Sequence, residues 1–231
     1  MNSPPRRAGP PHNPGVRELI QSKRRYSSPQ TRDQGLKGFR GWHERGYLPH
    51  FDKPNVTQFV TFRLADSFPI ELRGEWEVSL KVEDDRERRK QLEAYLDKGR
   101  GRCELKRAEI ATLVENAFRF FHGHHYDLRA WVVMPNHVHV MFHVGEEPMS
   151  QILEKWKSYT AKAANKILSR SGQFWAEDYW DRFMRNEDHQ ARTIRYIEGN
   201  PAKAGLCVTS KDWPWSSARF RDEFGKLALP S

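Results

Sequence analysis

The stretch Trp131-Val-Val-Met-Pro-Asn-His-Val-His-Val-Met-Phe-His-Val144 most narrows what this chain can fold into. Two apolar runs flank Pro135-Asn136, the signature of a β-hairpin. Successive side chains on a strand point to opposite faces. The second run therefore sends Val138, Val140, Phe142 and Val144 to one wholly apolar face. His137, His139, Met141 and His143 go to the other. Such a strand belongs in a sheet whose apolar side is covered.

The surrounding sequence supplies the cover. Val56–Leu64 is rich in β-branched and aromatic residues and reads as a strand. Residues 84–96 alternate in charge and read as a surface helix ended by Gly99 and Gly101. Ile110, Leu113, Val114, Ala117, Phe118 and Phe121 recur at three-and-four spacing, predicting an amphipathic helix over about 107–122. Residues 149–170 read as a long basic helix with Ile152, Leu153, Trp156, Tyr159, Ala163 and Ile167 as its apolar stripe. A further helix is expected over about 187–199. This order predicts an α+β fold, an antiparallel sheet with helices packed on one face. Residues 41–171 form the expected core and 172–231 a helical, aromatic C-terminal extension.

Charge separates the remaining segment. The 231 residues carry a net +9, of which +7 lies in residues 1–40. Six prolines fall in the first 29 residues and apolar residues there have no period, so a disordered basic arm is expected. A basic arm suits a polyanion partner, most often nucleic acid. No apolar run is long enough for a membrane span. Cys103 and Cys207 form no Cys-x-x-Cys pair, which argues against a disulfide framework or thiolate zinc knuckle and points to a cytoplasmic home.

Two features could carry chemistry. Histidines two apart on a strand stand roughly 7 Å apart at Cα, close enough for both rings to lean onto one ion. Read alone, His137 and His139 either bind a metal or face solvent on a half-exposed strand. The helix over 149–170 aligns Lys155, Lys162 and Lys166, a plausible phosphate-facing surface that Arg170 extends. Tyr159 within it is either a core aromatic or a nucleophile toward phosphorus.

Further motifs bring in a family. Met134-Pro-Asn-His-Val-His-Val140, Trp156-Lys-Ser-Tyr-Thr-Ala161, Ser171-Gly-Gln-Phe-Trp175, Tyr179-Trp-Asp-Arg182 and Tyr196-Ile-Glu-Gly-Asn-Pro-Ala-Lys-Ala-Gly-Leu206 follow in order. Together with Leu48-Pro-His-Phe-Asp-Lys-Pro54 and Val60-Thr-Phe-Arg-Leu-Ala-Asp66, they resemble the REP-associated tyrosine transposases over about residues 42–220. The resemblance implies a ferredoxin-like or RRM-like sheet. It implies that His137 and His139 bind Mg²⁺ or Mn²⁺, and that Tyr159 attacks single-stranded or hairpin DNA to leave a 5′-phosphotyrosine link. It is compatible with a monomer or a homodimer. Related enzymes often carry a third polar ligand one helical turn after the tyrosine. Here that position is Ala163, so Asn165, an acidic side chain or water is left for the role. Asn165 lies roughly 120° round the helix from Tyr159. Tyr179 and Tyr196 are rival nucleophiles, with Tyr159 favoured. The aromatics Trp175, Tyr179, Trp180, Trp213 and Trp215 could stack on bases or pack the tail on the core.

The favoured function is a metal-dependent DNA strand transferase. A DNA- or RNA-binding regulator that keeps the fold without cleavage is the alternative, supported by the missing ligand after Tyr159. A small-molecule metal hydrolase is opposed by the basic arm and the lysine-rich helix.

Overall fold

A computed structural model describes residues 30–45, 48–68, 91 and 93–230. Most of the helix expected over 84–96 and of the arm expected over 1–40 lies outside those residues; 93–96 are helical. Arg32–Leu36 forms a short helix, α1, inside the stretch expected to lack structure. Its cause is local. Thr31 and Gln34 close a capping box, each side chain bonding the other's backbone N–H.

Two strands follow, β1 (Gly41–Arg45) and β2 (Leu48–Asp52), paired as an antiparallel hairpin. Next come β3 (Val56–Leu64), α2 (Ala108–Arg119), β4 (Tyr126–Val133), β5 (His137–Val144), α3 (Met149–Ile167), β6 (Trp175–Phe183) and α4 (Glu187–Lys203). The main sheet is antiparallel with order β4-β5-β3-β6. The α+β fold with an antiparallel sheet is as expected. β6 lies beyond the boundary expected at residue 171, so the sheet is not complete without it. Its aromatic-rich sequence is that of an edge strand, with Tyr179 opposite Phe62 and Asp181 opposite Val60.

The alternation of β5 decides what covers each face. Val138, Val140, Phe142 and Val144 join Val60, Phe62, Leu128 and Trp131 in one core. Ile110, Val114 and Phe118 of α2 and Ile152, Leu153 and Trp156 of α3 close over it. The opposite face is covered differently from the expected one-sided arrangement. There Phe59, Ala130, Val132, Met134 and Met141 pack against Ile197 of α4, with Ile194 and Tyr196 alongside.

The C-terminal segment after α4 is mostly irregular, with short 3₁₀ turns at Ser210–Asp212 and Ser217–Phe220. Its aromatics serve packing. Trp213 Nε1 donates to the Val133 carbonyl at 2.9 Å, and Trp215 Nε1 to Thr112 Oγ1 at 3.1 Å. Trp175 Nε1 likewise donates to Thr160 Oγ1 at 2.8 Å. Among the described residues no helix is long and apolar enough to cross a membrane.

Pro148 precedes α3 and offers no capping side chain. Asp52 of β2 does that work from a distance, accepting from Met149 N at 3.0 Å and from Ser150 Oγ at 3.1 Å. Burial pushes its carboxyl above the usual range. Asp52→Ala strands the buried Met149 N–H and the half-buried Ser150 hydroxyl and should lower stability by about 2 kcal/mol in urea unfolding. An unchanged midpoint would show that solvent replaces the cap.

Candidate active site

Three neighbours fix the geometry of the histidine pair. β5 lies between β3 and β4, and Arg63 and Thr61 of β3 stand opposite His137 and His139. Both imidazoles are about 1% exposed. Their Nε2 atoms are 3.2 Å apart. Each Nδ1 faces an oxygen: Asn136 Oδ1 at 2.8 Å for His137, and Thr61 Oγ1 at 2.7 Å for His139.

Asn136 is held rigidly. Its Nδ2 donates to the carbonyls of Leu96 at 3.2 Å and Arg100 at 3.1 Å, which turns Oδ1 toward His137. The loop that carries the Arg100 carbonyl depends on Gly101, at φ +87°, where a Cβ would fall 2.7 Å from the Asp66 carbonyl oxygen. An amide oxygen only accepts, so His137 carries its proton on Nδ1 and presents an Nε2 lone pair. Burial lowers its pKa to about 3, which keeps the ring neutral. Thr61 is more accommodating, because a hydroxyl can donate or accept. With Thr61 donating, His139 holds its proton on Nε2 and bonds His137. With Thr61 accepting, the proton moves to Nδ1 and both Nε2 lone pairs face the same point.

That second state suits a metal ion. Ligating imidazoles characteristically hold Nδ1–H against a fixed acceptor, and neighbouring donors around one ion lie about 3 Å apart. No cluster of three His, Cys, Asp or Glu side chains suited to a metal occurs among the described residues. A neutral oxygen donor is nearby instead. α4 presents Tyr196 and Asn200, four residues apart and hence on one face. Tyr196 Oη is 3.5 Å from His139 Nε2. Asn200 is about 1% exposed, and its side chain lies in hydrogen-bonding contact with Tyr196. Burial, with the Glu93 carboxylate nearby, pushes the Tyr196 phenol well above its ordinary range.

The residues expected from sequence divide sharply. His137 and His139 come together as expected, and His143 is peripheral, its Nδ1 3.3 Å from Thr57 Oγ1. Tyr159 does not join them. It stands on α3, which covers the other side of the sheet, and is 60% exposed. Sheet sidedness therefore separates it from the imidazoles. Tyr179 is buried on that same far side and packs against His50. Asn165 is occupied at the end of α3, donating to the Gly172 carbonyl at 2.8 Å and accepting from Arg170 Nε at 3.2 Å. Lys162 and Lys166 are exposed as expected. Lys155 pairs with Glu147, and Arg170 with Glu104 at 3.6 Å. The residue four after Tyr196 is Asn200, whereas the residue four after Tyr159 is Ala163.

Residues 102–200 match the family model described as Transposase IS200 like, a span that contains both histidines and ends at Asn200. The REP-associated tyrosine transposase of Escherichia coli K12 is 26% identical over 94 residues, 40% of this chain and 54% of that protein. A Haemophilus influenzae relative is 24% identical over 96 residues, 37% of this chain and 54% of its own length. The chain thus spans about half the length of the curated relatives it matches. A solved structure of a REP-associated tyrosine transposase bound to a REP hairpin aligns with TM-score 0.48 and 16% identity, covering 79% of this chain and 97% of that one. The family resemblance read from the motifs is met.

The neutral His137 ties stability to pH. Its folded pKa of about 3 lies below the ordinary imidazole value of 6.5, so the unfolded chain takes up a proton first as pH falls. In chelator-treated protein, stability should be full above about pH 6.5 and decline as pH drops toward about 3. Urea midpoints compared across that window should fall less steeply in His137→Gln. Parallel slopes in both proteins would refute the assignment.

Proposed function

From the likeness of residues 102–200 to the IS200-like transposases, and from the grouping of His137, His139 and Tyr196, we propose that this chain is a metal-dependent single-stranded DNA strand transferase with Tyr196 as its nucleophile. The observation that carries the reading is the 3.5 Å approach of Tyr196 Oη to His139 Nε2. This phenol shares a face of the sheet with the imidazole pair. His137 and His139 would hold Mg²⁺ or Mn²⁺, with Asn200 Oδ1 as third ligand. When bound, the ion would stabilise charge building on the scissile phosphate.

The remaining chemistry belongs to the chain. Tyr196 Oη attacks phosphorus, and the bond from phosphorus to the 3′ oxygen breaks. The 5′ phosphate becomes esterified to tyrosine, and the 3′ oxygen leaves as a hydroxyl. Attack by a 3′-hydroxyl reverses the step and releases the phenol. One phosphodiester is exchanged for another, so no external energy source is required. The phenol is protonated at rest, and its proton must be taken during attack. Glu93 is buried and hydrogen-bonds the Tyr196 side chain, which suits it to accept that proton.

Hairpin DNA is the substrate proposed, and a cytoplasmic site of action fits it. Lys162 and Lys166 stand on the α3 side, away from the phenol, and would hold flanking backbone rather than the cleaved phosphate. Each substitution to Ala should lower the slope of log affinity against log salt by about 1.

The deciding experiment incubates the protein with single-stranded hairpin oligonucleotides and Mg²⁺ or Mn²⁺, then seeks a denaturation-resistant adduct. Tyr196→Phe should abolish the adduct and retain binding. Tyr159→Phe should form it normally, and Asn200→Ala should need more metal. An adduct persisting in Tyr196→Phe would overturn the nucleophile. Binding without any adduct, across cognate hairpins and both metals, would leave a non-cleaving regulator.

A further inference from the structure

A second pair of histidines stands on the β1–β2 hairpin. His43 and His50 are direct partners in its ladder, where facing Cβ atoms are about 4.5–5.5 Å apart. Their ring centroids are 5.5 Å apart. Each Nδ1 is already engaged by an oxygen. His43 Nδ1 is 3.1 Å from the Gly41 carbonyl oxygen, and His50 Nδ1 bonds the Asp181 carboxylate of β6. The other Asp181 oxygen accepts Phe51 N–H at 3.0 Å, which fixes the carboxylate in place.

These acceptors determine the tautomers. A carbonyl only accepts, so His43 carries its proton on Nδ1 and keeps a lone pair on Nε2. The carboxylate selects the same form of a neutral His50. His50 is about 1% exposed, and its Nε2 is buried with no hydrogen-bond partner. Hydrogen bonding within the fold thus satisfies one nitrogen of this ring and leaves the other unmatched. An imidazole backed by a carboxylate, beside another backed by a carbonyl, is the arrangement in which protein histidines hold metals. The Asp181 charge would partly offset that of a cation, and the half-buried His43 gives a route from solvent.

We propose that His43 and His50 form a second metal site, selective for a borderline ion such as Zn²⁺, which clamps the N-terminal hairpin against β6. Two imidazole nitrogens suit Zn²⁺, Ni²⁺ or Co²⁺ better than Mg²⁺, which favours oxygen ligands. No third His, Cys, Asp or Glu completes a cage among the described residues, so water fills the remaining positions. Asp181 acts from behind His50 as its orienting partner. This site is independent of the Tyr196 chemistry and stands or falls separately from it.

The test is calorimetric titration of the untagged full chain with Zn²⁺, in the presence of excess Mg²⁺. His43→Ala is the preferred variant because His43 is only half-buried. The wild type should bind one more equivalent than His43→Ala. Asp181→Asn should weaken that equivalent about ten- to a hundred-fold. Zinc should raise the melting temperature of the wild type more than that of His43→Ala. Equal stoichiometry and an equal thermal shift in the two proteins would overturn the site.

Discussion

Everything at the candidate centre depends on β5 being paired along both edges. With β3 on one side and β4 on the other, its backbone groups are satisfied and its register cannot slip without exposing Val138, Val140 and Phe142. The hydrophobic face therefore does more than hold the helices. By locking the register, it forces His137 and His139 onto the opposite face, in fixed relation to Thr61 and Arg63. A one-residue shift would bury two imidazoles under α2 and α3 and send valines toward α4.

The polar side of the strand is built from backing groups as much as from the histidines. Asn136 is immobilised by the carbonyls of Leu96 and Arg100, and its oxygen selects the His137 tautomer. Thr61 bonds His139 in either protonation pattern. The pair satisfies itself when His139 carries its proton on Nε2, and presents two converging lone pairs to a ligand when that proton sits on Nδ1. On α4, Asn200 lies against the Tyr196 side chain that faces His139. The hairpin site at His43 and His50 repeats the logic, with Asp181 in the backing position.

The fold was largely legible in local pattern. The period-two alternation of residues 137–144, the three-and-four spacing of residues 107–122 and the Pro-Asn turn each reflect short-range stereochemistry, and each appears where expected. β6 was less legible, because Trp175–Phe183 interleaves acidic residues with aromatics and reads equally well as an irregular tail. The short α1 hid in a proline-rich context, although its capping box was there to be read. At the centre, the histidine pair was legible since both members sit on one strand. The phenol was not. Tyr159 and Tyr196 both lie on amphipathic helices, and nothing within either helix says which side of the sheet it covers.

The amino-acid sequence by itself determined that a β-hairpin would carry two imidazoles on one face and valines on the other, since backbone alternation is a property of consecutive residues. It also carried the family resemblance, through motifs in order along the chain. Only the tertiary structure decided which tyrosine meets those imidazoles. That choice follows from α4 crossing to the polar face while α2 and α3 fill the apolar one, a division set by long-range burial. Sidedness arises from packing between distant segments, and no spacing rule within a single helix encodes it.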